Sequence, residues 1–551
     1  MLETGPLDTL ARDFWEWRAA HQPVTGDDLA RLDRPPGWAP DWSPSAIERQ
    51  RTALDAFEQR WKQIDAAGWP VSRQVDYRLI GSALARVRWE LDITRGWERN
   101  PKFYIDQTLV ALFEELLKRT PFDHLRGATI IRLLKSFPRV LESGKTNLAH
   151  TAVRPFAMAA IEALKDVRSR LGAVGRAVKP QLDSASAAQL DSAIEMAAGA
   201  LESFRDWLGE RLPLMAEETA VGREGYLFFL RRVALMPYTP EQLLAMSAQE
   251  LARSLAFEAI AQERARDLAA LPLFPDQASQ MAQEERDEMT IRRFLEERNL
   301  LTVPAWVQHY RNLPMPPYIE PLAALGVADD LTSPARLHEN GISYIHPPAP
   351  TLGYFALSSA RDPRPIIVHE GVPGHYLQLV LSWAHENPIR RHYYDSGANE
   401  GIGFYAEELM LQAGLFDDSP RTRQTMYNFM RLRALRVEAD VKLALGLFTI
   451  DEAANYLQTS TPMDAETAHY EAVFFASTPG QAISYQIGKL QIIKFLADAR
   501  RLQGDGFRLR EFHDFVWKNG NVPIALQRWE YLGLKDEVEQ LDLRPESCAI
   551  I

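Results

Sequence analysis

The sequence predicts a mainly α-helical fold with one small β element, and two observations favour this fold class. Amphipathic runs with apolar residues three or four positions apart recur along the 551 residues, and several begin at helix-capping residues. Alternating strand patterns joined by Asn-Gly or Asp-Gly turns are scarce. We therefore expect a large helical body, since a chain of this length can bury an extensive core.

The clearest helix starts are capping boxes, in which a Ser or Thr is followed three residues later by Gln or Glu. Thr239–Gln242 combines such a box with a proline at the first helical position. Ser247 with Glu250, and Thr449 with Glu452, form two more boxes. Amphipathic helices are also predicted over four further stretches: Ser45–Trp61, Lys102–Arg119, Asp191–Arg211 and Phe495–Leu502.

The small β element is expected within residues 313–365. This segment contains ten prolines and few helix-favouring runs. Two short pieces in it have an extended pattern, Ile342–Ile345 and Gly353–Leu357. We interpret the segment as irregular structure with short strands.

The Pro-rich segment divides the chain into an N-terminal helical lobe, residues 1–312, and a second lobe, residues 313–551. Within the second lobe, the candidate site helices span 366–411 and a helical C-terminal part spans 420–551. No Gly/Ser-rich tether joins the two lobes. We therefore expect two lobes of one intimate structural unit.

The composition excludes several classes of protein. Hydrophobic residues make up 46% of the chain and charged residues 25%, which is typical of globular proteins. The net charge is −12 and there is no basic block, so nucleic acids and anionic membranes are not the expected partners. Nothing in the sequence indicates an oligomeric state.

Two further features bear on location and on metal chemistry. The N-terminal residues lack a basic region followed by an apolar one, and no apolar stretch of about 18 residues occurs later, which predicts a cytoplasmic protein. Cys548 is the single cysteine, so neither disulfides nor cysteine-rich metal sites are available. Any metal must be held by histidines and carboxylates.

Three His-Glu dipeptides are candidates for a zinc hydrolase site: His338-Glu339, His385-Glu386 and His369-Glu370. In HExxH enzymes two histidines four residues apart share a helical face, and the Glu acts as general base. His338 has its next histidine eight positions on, beyond a glycine, which predicts a loop. His385 and His392 are seven apart, but Pro388 interrupts the helix between them.

The third dipeptide begins the stretch His369–His375, whose histidines are six apart. In a regular α-helix that spacing separates two side chains by about 120°. Pro373 and the two glycines in the stretch require a kink, a bulge or a helix restart, which could bring the histidines together. The alternative is a Gly-Pro turn between helices that happens to carry two histidines.

A catalytic zinc takes three protein ligands and leaves one position open. Glu400 lies 25 residues after His375, on a predicted helix with glycine beside it. Glu407 follows two turns later and can support the site from behind. A solvated acidic helix face is the alternative, and it fits Glu408 better than Glu400.

Five blocks of the sequence carry a family resemblance: HEGVPGHYLQ (369–378), NEGIGFYAEEL (399–409), RLRALRVEAD (431–440), STPGQAISYQIG (477–488) and FRLREFHDFVWKNGNVPI (507–524). In this order they resemble the bacterial domain-of-unknown-function 885 family over nearly the whole chain. That family is similar to zincin metallopeptidases, especially the carboxypeptidase Taq and thimet oligopeptidase groups.

The resemblance implies a two-lobed, helical, zincin-like (gluzincin) fold with a central cleft or channel, and it implies one bound Zn²⁺, for which another divalent metal could substitute. It also implies roles for individual residues: His369, His375 and Glu400 as metal ligands, Glu370 as general base, Tyr485 as a donor to the oxyanion, and Asp440 as a residue that orients a ligand histidine. A core tyrosine is the alternative for Tyr485.

Together these inferences predict a zinc-dependent peptidase that acts on short peptides. Two departures from the family pattern, Ala444 in place of a histidine and Phe474 in place of an arginine, indicate altered specificity. Two alternatives stay open: a non-catalytic helical protein that binds metal or peptide, and an amide or ester hydrolase that is not a peptidase.

Overall fold

The computed structural model describes residues 5–25 and 33–543, and Cys548 lies outside them. The described residues form 25 α-helices and one three-stranded sheet, which confirms the mainly α fold.

The first thirteen helices precede the sheet. They are α1 (Pro6–His21), α2 (Pro44–Lys62), α3 (Val71–Arg88), α4 (Gly96–Arg99), α5 (Lys102–Ile105), α6 (Ala111–Leu117), α7 (His124–Leu148), α8 (Arg154–Ala163), α9 (Val167–Val178), α10 (Ser184–Arg211), α11 (Gly222–Phe228), α12 (Pro240–Ala265) and α13 (Gln277–Glu297).

Twelve helices follow the sheet. They are α14 (Tyr354–Ser359), α15 (Arg364–Ile366), α16 (His375–Trp383), α17 (Pro388–His392), α18 (Ser396–Ala413), α19 (Pro420–Ala444), α20 (Ile450–Ser460), α21 (Ala465–Ser477), α22 (Ala482–Gln503), α23 (Leu509–Lys518), α24 (Ile524–Leu532) and α25 (Asp536–Asp542). Four π-helical turns also occur in the described residues: Trp89–Thr94, Asp106–Val110, Phe229–Val233 and Ile367–Gly371.

Two of the three predicted capping boxes begin helices. Thr239 caps α12 and Thr449 caps α20, each with its reciprocal side-chain bond from the third helical residue. The box at Ser247 is wrong, because α12 continues through it without interruption. The Ser247 hydroxyl instead donates to the carbonyl of Ala434, 2.6 Å away, and so joins α12 to α19.

Three of the four amphipathic runs lie within single helices, namely α2, α10 and α22. The run Lys102–Arg119 is broken by the π-helical turn Asp106–Val110 and leaves the helix after Leu117. In that turn the Thr108 hydroxyl donates to the carbonyl of Tyr104 at 2.7 Å. A side chain that bonds to a carbonyl one turn earlier competes with the regular helical ladder.

The sheet has the order β1-β3-β2, formed by β1 (Tyr310–Pro314), β2 (Asp329–Asp330) and β3 (Gly341–Ile345). β1 and β3 are parallel, and β2 is antiparallel to β3. The strand predicted over Ile342–Ile345 is therefore confirmed. The extended piece predicted over Gly353–Leu357 is wrong: α14 begins there, because Tyr354 and Phe355 pack their rings on Phe429 of α19.

The helices that carry the candidate site pack closely in the second half of the chain. α18 lies against α22 where Gly401 faces Gly488, and a Cβ atom on Gly401 would come within 2.7 Å of the Gly488 backbone. Only glycine permits this approach. Among the described helices, none is both long and apolar enough to cross a membrane.

Candidate metal centre

The backbone between His369 and His375 is irregular, as its Pro-Gly content predicts. After α15 the chain forms the π-helical turn Ile367–Gly371, and Val372 is extended with φ −123° and ψ 124°. The Val372–Pro373 peptide bond is cis, and α16 begins at His375. The helix thus bulges, stops and restarts within seven residues.

Neighbouring groups fit tightly around this stretch. A Cβ atom on Gly374 would lie 1.7 Å from the carbonyl oxygen of His369, so no other residue fits there. Trp517 of α23 donates its indole N–H to the carbonyl of Pro373 at 2.7 Å. The turn is thus held by packing as well as by its own sequence.

The irregular backbone brings the two histidines together. Their ring centroids are 4.6 Å apart, and each side chain is 5% exposed. Ligand atoms of His369, Glu370 and His375 all lie within 4.8 Å of one another. The six-residue spacing therefore places both imidazoles in one small volume. This arrangement does not fit the alternative, a Gly-Pro turn that happens to carry two unrelated histidines.

Glu400 of α18 reaches the same volume. Its Oε2 atom lies 3.5 Å from Nε2 of His369 and 3.3 Å from Nε2 of His375. Ligands about 2.1 Å from a tetrahedral zinc are about 3.4 Å from each other. The two distances from Glu400 are therefore those expected for ligands of a shared zinc ion. Gly403 makes this approach possible, because a Cβ atom there would be 2.8 Å from the His375 ring.

Glu407 contacts His369 from the opposite side. Its Oε1 atom is 2.7 Å from Nδ1 of His369 and 3.4 Å from the Arg433 guanidinium. When His369 is neutral, this contact favours the tautomer with the proton on Nδ1, which leaves the Nε2 lone pair facing Glu400. Although burial raises the pKa of Glu407, Arg433 and His369 lower it below its ordinary value. Glu407 is therefore an anionic support for His369.

The site attracts positive charge. Burial lowers the pKa of His369, but Glu400 and Glu407 oppose this and raise it to about 10. Once both histidines are neutral, as metal ligands must be, four carboxylates (Glu370, Glu400, Glu407 and Glu471) and two guanidiniums (Arg433 and Arg436) give the neighbourhood a net charge of −2. One divalent cation neutralises that charge.

Glu370 lies on the open side of the cluster. Its side chain is 24% exposed, whereas that of Glu400 is 1% exposed. Its Oε2 atom is 4.0 Å from Nε2 of His375. A carboxylate that is both beside the ligands and accessible can exchange protons with a substrate or with water.

Tyr485 of α22 covers the histidine cluster. Its ring is nearly parallel to that of His369, with centroids 6.3 Å apart, and the Arg436 guanidinium lies 5.1 Å from its ring centroid. The side chain is half-buried. The sequence-based role for its hydroxyl, donation to an oxyanion, stays a prediction.

Asp440 does not orient a ligand histidine, which corrects the expectation for this residue. Its carboxylate accepts hydrogen bonds from the backbone N–H groups of Gly480 and Ala482 and from the hydroxyl of Tyr226. These contacts hold the turn that leads into α22. Asp440 therefore positions the helix that carries Tyr485, and Glu407 is the carboxylate behind His369.

The other two His-Glu dipeptides lie outside the cluster. His338 is in a loop, as predicted. Nδ1 of His385 accepts a hydrogen bond from the backbone of Asn387, which caps the new helix α17. The helix break predicted at Pro388 is therefore confirmed.

Sequence reasoning missed a second cluster of buried charge beside the site. Glu408, interpreted as solvated, is buried and pairs with Lys489 of α22 and Arg253 of α12. Its signal in the sequence is Lys489, which stands among the mostly apolar residues 487–493 of α22. Arg433 was seen as part of a motif, but its position beside Glu407 depends on the packing of α18 against α19.

Comparisons with known proteins agree with the resemblance seen in the sequence. A family model described as bacterial protein of unknown function (DUF885) matches residues 31–529. The chain belongs to this family. A search of curated proteins finds no match.

Two solved structures, both described as putative lipoproteins, share the fold of this DUF885 chain. One, of unknown function and from Shewanella oneidensis, has a TM-score of 0.69 at 16% identity and covers 95% of this chain and 98% of its own. The other, from Colwellia psychrerythraea, has a TM-score of 0.74 at 17% identity. Its match covers 98% of this chain and 100% of its own. At these identities the likeness concerns the fold alone.

Proposed function

We propose that this DUF885 protein is a zinc-dependent, zincin-like hydrolase of short peptides. The observation that carries the proposal is the distance from Glu400 to both histidines, 3.3 and 3.5 Å, together with the accessible Glu370 beside them. Two histidines and one glutamate are the ligand set of several zinc peptidases. The net charge of the surrounding side chains matches a divalent cation.

The chemistry divides between the cation and the protein. A bound zinc would polarise the substrate carbonyl and make water a stronger nucleophile. Glu370, accessible and 4.0 Å from His375, takes the proton of the attacking water and passes it to the leaving amine. Glu407 holds neutral His369 in the tautomer whose Nε2 atom is unprotonated and faces the metal site.

Tyr485 supplies the oxyanion donor in this proposal. The Arg436 guanidinium lies 5.1 Å from its ring centroid, so a positive charge sits near the phenol. That charge makes the hydroxyl a stronger donor toward a developing oxyanion. Asp440 supports this role indirectly by fixing the start of α22.

A small cavity lies one helical turn from Glu400 and Tyr485. A cavity of about 150 Å³ lies between the N-terminal helices and the starts of α18 and α22, and Phe474, Ser396 and Gln481 contribute to its lining. Ser396 and Gln481 each lie one helical turn before Glu400 and Tyr485, on the same helix faces. No side chain of the metal cluster lines this cavity in the described part of the chain, so the preference for short peptides rests on the family's similarity to channel-bearing peptidases.

The test combines metal analysis with a substitution. Protein purified without chelators is expected to hold one zinc per chain and to cleave members of a short-peptide library, with products identified by mass spectrometry. Glu370→Gln should retain the zinc and lower hydrolysis by about 10²- to 10⁴-fold, as expected for a lost general base. Glu386→Gln, which alters an exposed glutamate in another His-Glu dipeptide, is the matched control and should change neither quantity.

Two results would contradict the proposal. Hydrolysis that is equal in wild type and Glu370→Gln protein would remove Glu370 from the chemistry. Zinc-loaded protein that cleaves a panel of esters and simple amides but no peptide would reassign the site to another hydrolase class.

A further inference from the structure

Arg433 is a buried guanidinium with too few partners. It is 5% exposed, and one of its N–H groups donates to Glu407 at a long 3.4 Å. Its Nε and Nη1 atoms are fully buried and have no hydrogen-bond partner within residues 5–25 and 33–543. Leaving charged donors buried and unsatisfied costs stability, so such groups mark a site for a missing partner.

Another buried arginine shows what complete pairing looks like in this protein. Arg390 is 4% exposed and donates to Asp76, Asn519 and both carboxylate oxygens of Glu530, as well as to a backbone carbonyl. Arg433 makes one long hydrogen bond at a similar degree of burial. The contrast indicates that the unpaired N–H groups of Arg433 are available to a ligand.

The surroundings of Arg433 place its unpaired N–H groups beside the candidate metal centre. Four aromatic rings surround its guanidinium with centroids 5.3 to 5.8 Å from Cζ: Phe355, Phe404, Phe429 and Tyr485. Tyr485 also covers His369, and Glu407 contacts both His369 and Arg433. The rings of Phe355 and Tyr485 are half-buried and those of Phe404 and Phe429 are buried, so the side of Phe355 and Tyr485 is the more accessible one.

We infer that Arg433 binds a carboxylate group of the substrate. The unpaired Nε and Nη1 atoms lie on different edges of the guanidinium, and either can donate a charge-assisted hydrogen bond to a carboxylate oxygen. The aromatic rings exclude water and strengthen those bonds. Since the inference rests on the proposed hydrolytic site, the expected substrates are peptides with a carboxylate close to the bond that is cleaved.

The carboxylate could be the peptide's C-terminus or an acidic side chain, and binding measurements distinguish these sources. The probes are three tripeptide mixtures: neutral peptides as C-terminal acids, the same peptides as C-terminal amides, and amides that contain Asp or Glu. Calorimetry with zinc-loaded Glu370→Gln protein measures their affinities without hydrolysis. If neutral peptides with a free C-terminus bind about 10- to 100-fold more tightly than their amides, the bound carboxylate is the C-terminus. If amides that contain Asp or Glu bind more tightly than the neutral amides by the same factor, it is an acidic side chain.

Substitution of the arginine then tests the inference directly. Arg433→Ala should reduce the preference for a carboxylate to below about threefold, and Arg433→Lys, which keeps the charge but not the directions of the guanidinium N–H groups, should reduce it partly. The matched control, Arg390→Lys, alters a buried, fully paired arginine, and it should lower thermal stability while leaving the preference unchanged.

Three outcomes would overturn the inference: equal affinity for all three mixtures, no binding of any, or a preference that survives in both Arg433 variants. Hydrolysis by the wild-type protein is measured separately on the same mixtures. Carboxylate-selective binding without any hydrolysis would contradict the proposed function and support the role of Arg433. Hydrolysis without selectivity for a carboxylate would support the proposed function and contradict the role of Arg433.

Discussion

Two clusters of buried charge meet at neighbouring residues of α18, yet they are built differently. Glu407 belongs to the metal cluster, which also contains His369, His375, Glu400 and Glu370. Glu408, the next residue, belongs to the lysine cluster, which also contains Lys489, Glu250 and Arg253. One helix thus serves two clusters through adjacent side chains.

The difference lies in how completely each cluster is paired. In the lysine cluster two cations face two carboxylates, and Lys489 donates to both of them at 2.8 and 3.2 Å. With neutral histidines, the metal cluster together with Glu471 and the two arginines carries a net charge of −2, and two donor atoms of Arg433 have no hydrogen-bond partner in the described part of the chain. A complete cluster stabilises the packing of three helices, whereas an incomplete one is suited to binding.

The largest expected difference between the two clusters is in zinc binding after the loss of a metal ligand. We expect His375→Ala to weaken zinc binding by at least about 10³-fold, since it removes one of three protein ligands. Competition with a chromophoric chelator measures the affinity. His385→Ala serves as the control and should bind zinc like the wild type, so an unaltered affinity in His375→Ala would contradict the assignment.

Removal of the central cation should affect the lysine cluster instead. Lys489→Met leaves Glu250 and Glu408 buried with one cation between them, and we expect the free energy of unfolding to fall by about 3–5 kcal/mol. Urea denaturation measures this, with exposed Lys494→Met on the same helix as the control. Zinc stoichiometry should stay at that of the wild type, and a loss of zinc would show that the clusters are coupled.

The sequence identified most residues of the metal cluster and none of the pairings in the lysine cluster. His369, His375 and Glu400 stand out because histidine, proline and glycine form a motif whose irregular backbone is dictated locally. By contrast, Lys489 and Glu250 are 239 residues apart, and their pairing depends on how α12 packs against α22.

The fold shows the same division between local and tertiary information. Helices with caps, such as α12 and α20, were predicted because their signals lie within four residues. Tertiary packing produced the two errors: Ser247 bonds to another helix instead of starting its own, and Phe355 packs on α19 in a helix where a strand was expected. Asp440 was misassigned for the same reason, since its partners lie about 40 residues away or more.

Neighbouring substitutions on α18 sharpen the comparison. Glu407→Gln removes the anionic support of His369, and we expect zinc affinity to fall by about 10- to 100-fold. Glu408→Gln should lower stability and leave zinc affinity within about twofold. The comparison would fail if the two variants changed the same property to the same extent, as measured by chelator competition and urea denaturation.

Acidity should weaken metal binding in the range where His369 exchanges its proton for the metal. Its pKa is raised to about 10 by Glu400 and Glu407, so below that pH zinc must displace a proton. We expect zinc affinity to fall by about tenfold per pH unit from pH 9 to pH 7, with about one proton released from His369 per zinc bound. Calorimetry in buffers of different ionisation enthalpy measures the release, and an affinity independent of pH would contradict it.

The most direct test of the central claim is anomalous X-ray diffraction at the zinc edge, on crystals of the wild-type protein grown with zinc. We predict one strong peak about 2.0–2.2 Å from Nε2 of His369, Nε2 of His375 and a carboxylate oxygen of Glu400. A zinc peak held by other side chains, or none between these three, would contradict the account.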